Sequence, residues 1–465
     1  MFDLTALRSI KFIVWFFILI AGCASQNDSR PIQPSARYED LVALFEEWRA
    51  FQKPPLVDGV LDYSAPAMLK QQRELQAYQQ RLAALDTTGW PVAQRVDYHL
   101  VKAEMNGLDF DHRVRQPWAN NPAFYVMLFP APSDVPAREG PVIHGAIELW
   151  AYSFPLTLEH ATALRTQIRA IPQMLAQAKN NLAGNARDLW VAGIRSLQQQ
   201  SADLAVLADK VSATALLPEV QSARAATDDF CAWLEKATPT KNGPSGVGVE
   251  NYNWYLQNVQ LVPHTWQEEV TIMRRELARA HAALRLEEHR NRQLPAPALV
   301  ANAEEYDRRF NAAVTDYLSF LRETEIVSIR DYMDAALRER LGSFSPAKNG
   351  RREFFSEVNY RDPVVMRTHG YHWFDLARMK SEPHASPIRR VPLLYNIFAG
   401  RAEGLATGME EMMMHAGLFD SRPHARELIW ILLAQRAARA LGDLYMHSNQ
   451  FTMAQAIQCA VLWMS

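Results

Sequence analysis

Two histidines three residues apart, His369 and His372, sit in the apolar run RTHGYHWFDLARM, and two glutamates, Glu403 and Glu410, follow in AEGLATGMEEMMMH. Imidazole nitrogens and a carboxylate oxygen are donors that zinc takes at about 2.0–2.2 Å, and catalytic sites leave a further position open. On a regular helix the two imidazoles lie about 60° apart and both reach one ion. A carboxylate from a second helix completes such a set, and Glu403 is its candidate. Glu410 lies two turns further on, about 10 Å along the axis, where it can orient a ligand or meet substrate rather than ligate the same ion. Spacing alone leaves the plainer reading open, because HxxH is a weak motif and a histidine pair beside Tyr371, Trp373 and Phe374 also suits a packed aromatic core. MEEMMMHAG reads more simply as a packed methionine face than as a cofactor box. Arg439, Asp443 and His447 recur every four residues, the pattern of an ion-pair ladder along one helix. His447 also suits a donor to a developing oxyanion. The chain has no G-x-S-x-G elbow and no phosphate-binding glycine loop with its lysine, so serine-hydrolase and P-loop chemistry are set aside.

The elements that must carry these residues begin after an export segment. Arg8 and Lys11 precede the apolar FIVWFFILIAG (12–22). Eleven helical residues span about 16 Å, too short for a hydrocarbon core of about 30 Å, so residues 1–22 read as a signal peptide rather than a membrane helix. The segment ends in LIAGC, which resembles the bacterial lipoprotein cleavage box and makes Cys23 the lipidated first mature residue. A plain secretory signal is the alternative. Ala24, in place of Asp, resembles the pattern of sorting to the outer membrane, facing the periplasm. Residues 23–36 are polar with two prolines and read as a lipidated tether. Cys231 and Cys459 allow one disulfide, but their spacing gives no zinc-ligand or redox motif. With 49 Lys and Arg against 51 Asp and Glu and no basic block, nucleic acid is not the expected partner.

From Tyr38 onward the chain reads as mainly α, multi-helical and two-lobed, with few or no strands. Leu41, Leu44, Phe45 and Trp48 form one helical stripe. Ser64 and Pro66 open a second helix. Pro172 is expected to kink or break the run from Thr157. Thr238 to Tyr252 concentrates glycine, proline, serine and threonine, and divides an N-terminal lobe (37–237) from a C-terminal lobe (238–465). Thr265 with Glu268, and Thr452 with Gln455, form capping boxes. Residues 342–363 read as a long irregular connection with a short strand. Three helices then follow, Pro363 to Lys380, Pro392 to Ala416 and Ser421 to His447.

The order of these blocks resembles a bacterial family called domain of unknown function 885, whose members are mostly helical and zincin-like, related to the neurolysin and thermostable carboxypeptidase group. RVDYHLVKAEM, NPAFY and GVGVENYNWYLQNV resemble its N-terminal and central segments. RAEGLATGMEE is similar to its E-G-W-A-x-x-x-E helix, which implies Glu403 as metal ligand and Glu410 as the second glutamate. RAARALGDLYMH is similar to its R-x-x-x-D-x-x-x-H helix, which implies roles for Arg439, Asp443 and His447. The first metal motif departs from the family's H-E-x-x-P-G-H-H. His369 is kept, Gly370 stands where the general base belongs, Asp375 falls where a later ligand histidine is expected, and the Pro-Gly bend is missing. Geometry favours His372 as the second ligand, and alignment favours Asp375. The chain also stops at AIQCAVLWMS, short of a further family region, as a truncated product would.

The resemblance implies an envelope lipoprotein with a zinc-dependent, carboxypeptidase- or oligopeptidase-like cleft for short peptides. Its metal ligands would be His369, His372 and Glu403, with Glu410 and His447 supporting catalysis and Arg439 and Tyr371 contacting substrate. The alternative is a catalytically inactive zincin-fold lipoprotein that binds peptides or acts as a scaffold. A different hydrolase chemistry on the altered site is a third, weaker reading.

Overall fold

The computed structural model describes residues 35–132, 144–391, 393–395 and 398–464; the signal peptide, Cys23 and most of the tether lie outside the described residues. The fold is mainly α, and the strands among the described residues form two sheets of two strands each. One is the antiparallel hairpin Leu56–Val57 with Val60–Leu61. Its two-residue turn, Asp58-Gly59, has positive φ at both positions (52° and 81°), the geometry that matches the twist of paired strands. The other is a parallel pair, Leu128–Phe129 with Ile147–Glu148. No helix of the described residues is long and apolar enough to cross a membrane.

The apolar stripe on Tyr38–Phe51 does what its spacing predicts. Leu41, Leu44, Phe45 and Trp48 are all buried, against helices Ala65–Ala83 and Val92–Phe110. Each such side chain stabilises the fold by about 1.5–3 kcal/mol relative to exposure. A second core lies among Leu158–Asn181, Arg187–Lys210 and Leu217–Ala237. Pro172 does not break the first of these helices, because Ile168, Ile171 and Leu175 on either side of it are buried in that core. Ser64 precedes its helix without a side-chain capping bond. Cys231 and Cys459 are both free thiols, so the disulfide that their number allows is not formed.

The first core is not built from the first helices alone. Ile388, Leu393, Leu394 and Tyr395 pack into it from the last third of the chain. The amides of Leu394 and Tyr395 each donate to the Glu104 carboxylate at 2.9 Å, and the Tyr395 hydroxyl donates to Asp111 at 2.9 Å. Glu104 and Asp111, seven residues apart on one helix face, therefore hold this short non-helical segment. The helix expected from Pro392 is not formed over residues 393–395, and Pro392 itself lies outside the described residues. Residues Phe398–Glu403 form a π turn that continues as the helix Gly404–His415.

In the second half, Trp266–Asn291 opens with the expected capping box at Thr265 and Glu268. The connection after Leu341 contains a helix, Phe354–Arg361, and an isolated bridge between Lys348 and Arg351 rather than a strand. Pro423–His447 packs along Trp266–Asn291, and Met453–Met464 closes the chain behind the second capping pair, Thr452 and Gln455. Met409, Met413 and Met414 are buried, as a packed methionine face requires.

The glycine-rich loop connects the halves. Gly243 N–H donates to Asn185, Gly246 N–H to the Asn449 side chain and Gly248 N–H to the His447 carbonyl. A Cβ at Gly246 would lie 2.1 Å from the Met446 carbonyl oxygen, so only glycine lets the loop pass this close to the end of Pro423–His447.

Candidate metal centre

The expected single helix from Pro363 to Lys380 is two helices, Pro363–His369 and Tyr371–Ser381, joined at Gly370. Asp362 caps the first, its side chain accepting the Val364 N–H at 3.0 Å. At the joint the hydrogen bonds tighten to i→i−3, from Gly370 N–H to Arg367 O and from Trp373 N–H to Gly370 O, both 3.0 Å. The bend that the family places at Pro-Gly thus falls directly after His369. Gly370 keeps an ordinary φ of −64°, so backbone freedom is not its reason. A Cβ there would lie 2.5 Å from Leu337 Cδ2, and Leu337 is buried. A glutamate here, as a zinc peptidase carries, would therefore have to displace the Leu337 side chain.

The bend sets the two imidazoles nearly perpendicular, with centroids 4.9 Å apart. Glu403 reaches them from the end of the π turn, a local helix form frequent at functional sites. One ligand atom from each of His369, His372 and Glu403 lies within 4.8 Å of the others. A point central to all three is at most about 2.8 Å from each, so small rotamer shifts bring them to zinc distance. Two imidazole nitrogens and one carboxylate, from two chain segments, suit zinc and leave coordination positions open. His372 is buried, while His369 and Glu403 are partly exposed, so the group has both a dry side and access.

Behind His369 lies a second layer. Its Nδ1 is 2.9 Å from Glu410 Oε1, and its Nε2 is 3.9 Å from Glu403 Oε2. The Arg436 guanidinium takes both oxygens of Glu410, at 2.6 and 2.7 Å. Arg436 Nη2 also donates to His369 Nδ1, at 3.5 Å. Nε2 is the ring nitrogen turned toward Glu403, and Nδ1 lies on the side of Glu410 and Arg436. Glu410 is 2 % exposed, so its charge depends on Arg436 for compensation.

The other candidates lie elsewhere. Asp375 accepts from Arg378 at 2.8 and 3.1 Å and is not part of the convergent group. Tyr371 packs with Phe374 in the cluster that holds Tyr317 and Met413. Arg439 and Asp443 are exposed, and His447 is 3.8 Å from Asp443, with its ring against Tyr252. His447 is eleven residues beyond Arg436, about 16 Å along the helix axis. Arg436 is the residue that sequence reasoning passed over. Its signal is a cation among small and apolar neighbours in IWILLAQRAARA, where a solvated face would carry several charges.

Known proteins place this architecture. The chain superposes on a "putative lipoprotein of unknown function from Shewanella oneidensis" with a TM-score of 0.61 and 13% identity, covering 92% of this chain and 90% of that one. A "putative lipoprotein from Colwellia psychrerythraea" gives a TM-score of 0.53 and 11% identity over 92% and 84%. At such identities the likeness speaks for the fold. No curated protein matches the chain. The family model described as "Bacterial protein of unknown function (DUF885)" matches residues 53–350, ending ahead of His369. That match spans more than half of the sequence, from the first helices through the glycine-rich loop to the connection before the bent helix pair, and the chain belongs to this family.

Proposed function

We propose that this protein is a cell-envelope lipoprotein, anchored through Cys23 and facing the periplasm, that binds one zinc ion in a peptidase-type cleft and acts on short peptides. One observation carries the reading: His369, His372 and Glu403, brought from two chain segments, converge within 4.8 Å. The lipoprotein part rests on the LIAGC box and agrees with the description of the two proteins that share the fold. Zinc in this position would polarise a peptide carbonyl as a Lewis acid. The chain's own residues hold the donors in place and exclude water on the His372 side. Removal of a dedicated base beside His369 costs about 10²–10⁴ in rate, so hydrolysis is expected to be slow. The test is metal analysis of the full chain purified in detergent, with a peptide library assayed on wild type and His369→Ala. One equivalent of zinc and slow cleavage, both lost in the variant, are expected. No bound divalent metal, with both proteins equally inactive, would overturn the proposal.

A second reading has its own observation. Leu337 fills the space beside Gly370, and Glu410 is held by Arg436, so neither position offers a free carboxylate for proton transfer. This favours a protein that binds peptides without cleaving them. Binding of a labelled peptide that survives EDTA, with no cleavage products, would decide for it.

A further inference from the structure

We infer that Arg436 is a positioning residue of the metal centre, acting through Glu410 on His369; this deepens the zinc reading above and rests on it. The steps are short and directional. Arg436 sits on Pro423–His447, Glu410 on Gly404–His415 and His369 at the end of Pro363–His369, so one chain of contacts ties three helices. The planar fork of Arg436 meets both Glu410 oxygens, a bidentate geometry that fixes the orientation of the carboxylate as well as its charge. Glu410 Oε1 lies 2.9 Å from His369 Nδ1 and Arg436 Nη2 donates to the same nitrogen, so this side of the ring is occupied and Nε2 is left toward Glu403. Without Arg436, a carboxylate that is 2 % exposed would lack its counter-charge and turn from the histidine. That movement frees the ring to rotate.

The same contacts redefine Glu410. Each of its oxygens takes one Arg436 N–H, so in this chain the second glutamate acts as a clamp and not as a substitute base. Phe355 lies under the Arg436 guanidinium, 5.8 Å from its centroid, and holds the fork from the other side.

The test is zinc titration of the full chain in detergent, with thermal melting as a check on folding and the visible spectrum of the cobalt-substituted protein as a reporter of ligand geometry. Arg436→Ala is expected to weaken zinc binding about 10- to 100-fold. Arg436→Lys, which cannot meet both oxygens at once, should recover only part of that loss. Should the alanine variant fail to fold, Arg436→Met with Glu410→Gln removes the charge imbalance and should fold while binding zinc weakly with an altered cobalt spectrum. Wild-type zinc affinity and cobalt spectrum in a folded Arg436 variant, with His369→Ala still unable to bind, would overturn this inference alone. Absence of zinc binding in wild type would overturn the metal reading and the inference with it.

Discussion

At residue scale, Gly370 separates two accounts of the site. The alignment presents it as a lost glutamate, a catalytic group that mutation removed. The structure presents it as a packing requirement, since Leu337 Cδ2 stands 2.5 Å from where a Cβ would be. Restoring the glutamate alone is therefore not a reversion. Gly370→Glu is expected to destabilise the chain by about 1–3 kcal/mol through overpacking, seen as a lowered urea midpoint. Leu337→Ala combined with Gly370→Glu should recover part of that loss, although Leu337→Ala alone destabilises by opening a cavity. Strictly additive losses in the double variant would show that the two side chains do not compete for space. The sequence made the residue change legible and hid its cause, because Leu337 is 33 positions away and nothing in HGYHWFDL points to it.

At the scale of elements, the segment that leads to Glu403 is held by carboxylates from the other end of the chain. Glu104 accepts two backbone amides that would otherwise be buried without partners. Glu104→Ala is expected to cost about 2–5 kcal/mol, since each orphaned buried donor costs about 1–3 kcal/mol. Chemical denaturation measures it, and a change within about 0.5 kcal/mol would contradict the assignment. Helix identities were legible wherever an apolar stripe or capping box marked them, as at Leu41 to Trp48 or Thr265 with Glu268. The misread elements are those that a distant partner reshapes. The helix expected from Pro392 yields to Glu104, and the helix expected through Gly370 bends beside Leu337. Local periodicity carries no information about either partner.

At the scale of the whole molecule, buried imidazoles couple folding to pH. His112 is buried against Trp118, with its Nε2 at 3.0 Å from Gln71, and burial pushes its pKa down to about 4. His144 is pushed down to about 4 by burial and by the charges of Lys53 and Arg49. An unfolded histidine titrates near about 6.5, so as pH falls the unfolded chain takes up these protons first. The stability the two groups contribute is whole above about pH 6.5 and is lost as pH falls through about 4. Asp111, held above the usual carboxylate range by burial, opposes the trend in part. The urea midpoint is expected to fall between about pH 7 and pH 4.5, and less so in His112→Gln. A midpoint unchanged over that interval would refute the coupling. Fold class was legible from composition and period. The convergent His-His-Glu group was legible as a set of residue types, and Glu410 as a residue beside it, but Arg436 was not, because it meets Glu410 only once their two helices have packed.

The contact between Glu104 and the 393–395 segment also sets an order of events. The two groups lie 290 residues apart in sequence. Contacts of such separation form late, since the chain loses the entropy of closing a long loop before it gains them. While the polypeptide emerges, its first three helices are complete in sequence but lack the strand-like plug that finishes their core. The first core is then expected to keep apolar surface showing until the final third has been made. Completion of that core therefore waits for residues 393–395, and the arm that seals it is the same arm that delivers Glu403.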